Sequence, residues 1–278
     1  MSTASGSRKG RANVRRFLEM KGAGEKIAVL TAYDVLFARI LEEAGVDIIL
    51  VGDSLANVVL GYETTLPVTL DDMIRHASAV RRGAPSSFIV VDLPFLSYQV
   101  SPEEALRNAG RVMKETGAQA VKLEGGDERA RAVVDLLVHT GIPVMGHLGL
   151  TPQSVHALGG YRVQGREQHE AERIRREALA LEQAGAFSVV LELLPAELGA
   201  EISRSLTIPT IGIGAGPGCD GQVLVLPDVL GLNVGFQPRF LKRYANLHEV
   251  AKGGVERYIQ DVRGGTYPDA QHSFSWSD

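Results

Sequence analysis

One cysteine, one tryptophan and no long apolar run set the first limits on this chain of 278 residues. With Cys219 as its only thiol, the chain can build neither an internal disulfide nor a thiolate zinc site, which suits a reducing cytosol. No tract of about eighteen consecutive apolar residues is present to span a bilayer. Positive charge is not in excess either: 29 Lys and Arg stand against 33 Asp and Glu, a formal net charge of −4, so no basic field attracts nucleic acid. Long Pro- or Gly-rich linkers are missing, which argues for a single domain. At 45% apolar residues the chain can bury a substantial core without staples. The expectation is a cytoplasmic protein directed at small molecules, with neither membrane nor nucleic acid as partner. The stretch from Ser2 to Arg16 lacks acidic residues and resembles a transit peptide in composition, yet it has no apolar h-region. It is read as a flexible N-terminal arm, residues 1–16.

What is present is alternation. Eight short apolar runs bounded by turn residues lie between amphipathic stretches: Lys26 to Tyr33, Asp47 to Ser54, Phe88 to Leu93, Ala120 to Glu124, Ile142 to Leu148, Phe187 to Leu193, Thr210 to Gly214, and a weaker one near Val223 to Leu226. Between them, Ser101-Pro-Glu-Glu104 reads as an N-cap, a first-turn proline and a capping-box glutamate opening a helix towards Thr116. A second helix is expected over Glu167 to Ala184, with Ile174, Ala178 and Leu181 at helical spacing and Gly185 as its stop. Val-, Ile- and Leu-rich strands imply a parallel sheet buried on both faces, and eight strand-helix units favour a closed barrel over a doubly wound open sheet. The expected fold is thus α/β, a single-domain (β/α)8 barrel over residues 17–278. From about Arg239, with Phe240, Tyr244, Leu247, Val250 and Val255, one or two further helices form a C-terminal extension.

A barrel of this kind carries its active site at the C-terminal ends of its strands, and here those ends are repeatedly acidic. Asp53 closes the second run, Asp92 the third, Glu124 the fourth and Glu192 the sixth. A single such acid would ordinarily cap the next helix, but four in register form a cluster whose repulsion and desolvation call for a cation or shared protons. With oxygen donors dominant and no thiolate near, Mg²⁺ fits better than zinc. Lys122 stands two residues before Glu124 and so shares its face, either to bind a substrate oxyanion or to form a buried ion pair. His147 could ligate a metal, donate to a substrate oxygen or satisfy a carbonyl; donation is favoured, since no second His stands at zinc spacing. Gly212-Ile-Gly-Ala-Gly216 closes the seventh run, has neither P-loop nor dinucleotide spacing and implies close backbone approach to a bulky ligand or tight turn chemistry. Cys219 reads as a bystander.

Longer blocks narrow the reading. Thr31-Ala-Tyr-Asp34, Val51-Gly-Asp-Ser54, Thr65-Leu-Pro-Val68, Arg81-Arg-Gly-Ala-Pro85, Asp92-Leu-Pro-Phe95, Val121-Lys-Leu-Glu-Gly-Gly126, Gly146-His-Leu-Gly-Leu-Thr-Pro-Gln-Ser154, Gly159-Gly-Tyr-Arg-Val-Gln-Gly165 and Ile211-Gly-Ile-Gly-Ala-Gly216 resemble the ketopantoate hydroxymethyltransferase family. The resemblance runs from about Thr31 to Val225. It implies transfer of a hydroxymethyl group from 5,10-methylenetetrahydrofolate to 3-methyl-2-oxobutanoate, giving 2-dehydropantoate for pantothenate and coenzyme A synthesis through a Mg-stabilised enolate. It places the metal on Asp53, Asp92 and Glu124, directly or through water. Substrate contacts fall on Asp53, Ser54, Asp92 and Lys122, with His147 added from the strand-end reading, and the general base is Glu192. The family also implies a homo-oligomer, commonly a decamer, although the polar start and the tail from about Ala251 depart from shorter relatives.

Two rival readings remain at this stage. Lyases of the isocitrate lyase and phosphoenolpyruvate mutase type use similar strand-end acids, but generally carry a Lys-Lys-Cys-Gly-His loop that this chain lacks. A non-catalytic binding barrel is the other, and the candidate base at Glu192 speaks against it.

Overall fold

The structure, a computed structural model, describes residues 13–235 and 237–276. Eight parallel strands close into a barrel in sequence order. They are β1 (Ile27–Thr31), β2 (Ile48–Val51), β3 (Phe88–Asp92), β4 (Ala120–Glu124), β5 (Val144–Gly149), β6 (Ser188–Glu192), β7 (Thr210–Ile213) and β8 (Gly221–Leu224), with β8 pairing back onto β1. The helices are α1 (Val14–Ala23), α2 (Val35–Ala44), α3 (Leu55–Val58), α4 (Leu70–Gly83), α5 (Pro102–Thr116), α6 (Glu128–His139), α7 (Val155–Leu158), α8 (Gln168–Gln183), α9 (Ala196–Ser205), α10 (Leu226–Val229) and α11 (Leu247–Gly264). The expected (β/α)8 barrel is the observed fold.

Local chemistry explains the boundaries. Asp34 opens α2 by accepting from the amides of Leu36 and Phe37 at 2.8 and 2.9 Å. Thr69 and Asp72 form a reciprocal capping box at α4. Ser101 caps α5, Pro102 occupies its first turn, and Gly117 ends it at φ 71°, as the sequence implies. The helix expected over Glu167 to Ala184 is α8, stopped by Gly185 at φ 90°.

One strand starts earlier than its apolar signature. The last strand begins at Gly221, because a Cβ there would strike the Ile27 carbonyl and stand 2.7 Å from Ile211 Cδ1. Barrel closure therefore demands a glycine, which carries no apolar signal. Of the expected arm, residues 1–12 lie outside the described residues, whereas Val14–Arg16 are helical, since Asn13 caps α1 through the Arg16 amide.

Helix α1 closes the N-terminal end of the barrel. Phe17 meets Phe88 edge-on, with ring centroids 5.0 Å apart, and Phe88 meets Phe187 at 5.9 Å. With Met20, Ile27, Ile48 and Val90 these rings form a dry floor, each fully buried Phe contributing on the order of 2–3 kcal/mol. Lys21 fastens the helix from Nζ to the carbonyls of Ser203 and Ile208 and to Asp220, at 2.7, 3.0 and 2.9 Å.

The chain divides into two compact units, the second running from Leu226. In that second unit the helix expected from about 239 starts only at Leu247, because Tyr244 and Leu247 give their amides to the carbonyls of Val229 and Leu230 instead of to a helix. None of the residues of α11 is buried. No helix among the described residues is long and apolar enough to cross a membrane.

Candidate active site

Alternation along the strands carries the barrel interior from an apolar floor to a charged rim. Phe88, Val90 and Asp92 share one face of β3. Ala120, Lys122 and Glu124 share one of β4, Met145 and His147 one of β5, and Val190 and Glu192 one of β6. The lower members belong to the apolar core, while Asp92, Lys122, Glu124 and His147 are buried above it. Register sets Asp92 beside Lys122, Glu124 beside His147 and Gly149 beside Glu192. The four strand-end acids and the lysine are thereby brought to one mouth.

Contacts tie them into a single network. Lys122 Nζ lies 3.0 Å from Asp92 Oδ1 and 3.3 Å from His147 Nδ1. His147 faces Glu124 Oε1 from Nδ1 at 3.5 Å and Glu192 Oε2 from Nε2 at 3.1 Å. Asp92 Oδ2 accepts from the amide of Asp53 at 3.1 Å. Ser54 is held from outside this network, its Oγ 2.8 Å from the hydroxyl of Tyr33.

The network is short of positive charge. Burial, then Asp92 and Glu124, push the Asp53 carboxyl up to about 8, and Lys122 offsets only part of this. Burial pulls Lys122 down, but Asp92, Asp53 and Glu124 overcome it and hold the ammonium above its ordinary value. Burial and Lys122 also oppose charge on His147, yet the carboxylates of Glu124 and Glu192 beside it win and raise the ring to about 9. The ring stands between two glutamates, Nε2 towards Glu192 and Nδ1 shared between Glu124 and the Lys122 ammonium.

Two residues that sequence reasoning did not single out complete the site. Gln153 is buried in the turn after β5, and Tyr98 is buried in the loop after β3. Gln153 Nε2 donates to Asp53 Oδ2 at 2.8 Å, and its backbone amide donates to Glu124 Oε2 at 3.0 Å. Tyr98 accepts from the Glu124 amide at 3.1 Å and lies 2.9 Å from Gln153 Oε1. The available signal was position: Thr151-Pro152 forces a turn directly after a strand end, so the next side chain returns to the mouth.

Backbone geometry fixes the candidate base. Leu193, directly after Glu192, is held at φ 47°, a left-handed conformation costing a branched residue about 1–3 kcal/mol. Gly149, at φ 95°, lies so close to β6 that a Cβ would strike the Glu192 carbonyl, which accepts from the Leu150 amide at 2.9 Å. Gly149→Ala is accordingly expected to destabilise the fold by about 2–3 kcal/mol and to lower activity further by displacing Glu192. Denaturant melts and turnover of the folded fraction check this; an unchanged midpoint refutes the close approach.

The remaining candidates are structural. The backbone of Gly212-Gly216 approaches the protein itself: a Cβ on Gly212 would stand 3.0 Å from Cys219 Sγ, and one on Gly216 would strike Ala196. Burial pushes the Cys219 thiol up, away from a nucleophile's range. Among the described residues, no group of three or more His, Cys, Asp or Glu is already disposed as a direct metal set.

The sequence pattern of the ketopantoate hydroxymethyltransferase family matches residues 11–270. The chain is 58% identical to 3-methyl-2-oxobutanoate hydroxymethyltransferase of Syntrophus aciditrophicus (strain SB), over 99% of this chain and 100% of that protein. It is 54% identical to the enzyme of that name from Chlorobaculum parvum, again over 99% and 100%. Among solved structures, 2,3-dimethylmalate lyase, a PEP mutase/isocitrate lyase superfamily member, superposes with a TM-score of 0.59 at 18% identity, covering 96% of this chain and 93% of that one. Phosphonopyruvate hydrolase in complex with oxalate and Mg²⁺ gives 0.60 at 12% identity, covering 93% and 92%. At such identities the structural likeness concerns the fold alone.

Proposed function

The chain belongs to the ketopantoate hydroxymethyltransferase family, and from that premise we propose how its mouth performs the transfer. The hydroxymethyltransferase activity serves pantothenate synthesis. The acceptor is 3-methyl-2-oxobutanoate and the donor 5,10-methylenetetrahydrofolate. The observation that carries this reading is the pairing of an unneutralised acid cluster with a separate, rim-placed carboxylate, Glu192, held from one side by His147.

The donor set fits a hard divalent cation. It is all oxygen, burial and then its acidic neighbours push Asp53 upward, and among the described residues Asp53 Oδ1 takes no hydrogen bond while Oδ2 is occupied by Gln153. Asp53, Asp92 and Glu124 would hold Mg²⁺, directly or through water, with the oxygens of Asp92 also engaged by Lys122 and the Asp53 amide. When bound, Mg²⁺ supplies Lewis acidity towards a 2-oxo acid.

The chain's own residues do the rest. Lys122 attracts the anionic end of the acceptor and, with Ser54, fixes which face of C3 looks at Glu192. His147 Nε2 faces Glu192 Oε2 at 3.1 Å as an ion-pair neighbour and leaves Oε1 to take the C3 proton. Water supplies the hydroxyl oxygen to the one-carbon unit, its C–N bond to the folate breaks and tetrahydrofolate leaves, and the electron pair released at C3 closes the carbon–carbon bond while Glu192 returns its proton to the new hydroxyl. In deuterated water the protein should catalyse Mg²⁺-dependent exchange of the C3 proton of 3-methyl-2-oxobutanoate, and form 2-dehydropantoate once the folate is added. Exchange without transfer would remove the folate from the reading, and absence of both would remove the enolisation chemistry.

The same reading makes the protein a cytosolic homo-oligomer, a decamer by family analogy. It is supported by α11, whose Val250, Val255, Tyr258 and Val262 are all exposed. Light scattering at micromolar concentration should give a multiple of 29.9 kDa, and a mass near that value itself would refute it.

A further inference from the structure

Gln153 makes more ordered contacts in the mouth than any residue assigned a chemical role, and its place follows from local sequence. After β5 ends at Gly149, Thr151 is extended, Pro152 starts a single 3-10 turn, and the Ser154 amide closes it onto the Thr151 carbonyl at 2.8 Å. Gln153 sits in the middle of that turn at 6% exposure. Its side chain uses its full hydrogen-bonding capacity. Nε2 donates to Asp53 Oδ2 at 2.8 Å and to the Leu93 carbonyl at 3.0 Å, while Oε1 accepts from Tyr98 Oη at 2.9 Å and Gln99 Nε2 at 3.1 Å. A flipped amide would set its oxygen against a carboxylate and a carbonyl, so the orientation is fixed by its surroundings.

The backbone of the same residue holds a second acid, donating to Glu124 Oε2 at 3.0 Å. One residue thus grips carboxylates from the ends of two non-adjacent strands, β2 and β4, and Tyr98 braces both Gln153 and the Glu124 backbone. Neither acid could hold this arrangement unaided: their mutual repulsion drives them apart unless donors fix one oxygen of each. Because one oxygen of each acid is tied to Gln153, the other stays turned away from it, Asp53 Oδ1 without a hydrogen bond among the described residues and Glu124 Oε1 towards His147.

We propose that Gln153 is a positioning residue that sets Asp53 and Glu124 jointly for a divalent cation, with Tyr98 as its brace. The proposal rests on the cation reading given above. Partners that orient metal-binding carboxylates are worth about 10–100-fold in metal affinity.

The test uses the full chain, with Mg²⁺ alone as the probe. Gln153→Met fills the space but loses the amide, so calorimetry should show Mg²⁺ affinity lowered by about 10–100-fold. The Mg²⁺ concentration giving half-maximal C3 exchange should rise by the same factor. Tyr98→Phe removes only the brace and should shift both readouts in the same direction by a smaller factor; it decides the matter if Gln153→Met does not fold. A purely structural role would lower the melting temperature and leave Mg²⁺ affinity alone, so folded variants that bind Mg²⁺ like the parent overturn the proposal. A parent protein that binds no Mg²⁺ sinks the cation reading itself and the proposal with it, a result distinct from the first.

Discussion

Replacing Glu192 by Gln is expected to lower C3-proton exchange and hydroxymethyl transfer by about a hundredfold or more, the usual scale for loss of a general base. The substitution keeps the size of the side chain and an acceptor for His147 Nε2, which stands 3.1 Å from Glu192 Oε2. What it removes is an oxygen able to take a proton. Stability should change little, since the side chain sits at the rim at 16% exposure and His147 keeps Glu124 as a charged neighbour at 3.5 Å. Mg²⁺ and acceptor binding should persist. The opposite pattern, a lower melting temperature with turnover per folded molecule intact, would mean that Glu192 merely anchors His147. Deuterium exchange, Mg²⁺ affinity and a melting curve on one preparation separate the two.

Lys122→Met should produce the largest loss of stability. The side chain is 6% exposed and its ammonium is held above its ordinary value by Asp92, Asp53 and Glu124. Methionine matches its length and leaves those acids without their compensating charge. Breaking a buried pair from one side costs about 3–5 kcal/mol, which for a chain of this size lowers the melting temperature by roughly 6–15 °C. The sign of the pH dependence follows. Asp53 is already raised to about 8 with Lys122 holding it down, and without that ammonium it goes further up, so the native state binds more protons than the unfolded chain. The variant should therefore regain stability as pH falls and lose it as pH rises, and added Mg²⁺ should narrow the gap to the parent. A variant as stable as the parent at pH 8 without Mg²⁺ would show that the acids do not depend on Lys122.

Much of this was legible beforehand because the barrel repeats one physical device. Strand residues two apart share a face, so acids that close apolar runs must meet at one rim, and Asp53, Asp92, Glu124 and Glu192 do so. Lys122 and Glu124 were placed on one side by the same period. Three things were hidden. The start of β8 is a glycine, chosen for the closeness of Ile27 and not for burial. Gln153 and Tyr98 are neither charged nor at a strand end, and their role lies in whom they touch across 26 to 100 residues of sequence. The delayed start of α11 depends on amides claimed by carbonyls of residues 229 and 230, a competition that helical periodicity does not register.

The aromatic floor also bears on when α1 can dock during folding. Helix α1 is made near the beginning of the chain, yet its partners arrive late: Phe88 and Phe187 from the middle, then the carbonyls and carboxylate that receive Lys21, 182 to 199 residues further on. Loop-closure entropy weighs against such distant contacts until intervening strands have already shortened the path. Short local units can pair as they emerge, but α1 has nothing to dock against until the ring of strands is complete. Helix α1, first among the described helices, is in this sense the last to find its place, and its docking turns a closed ring open at both ends into a cup with one mouth.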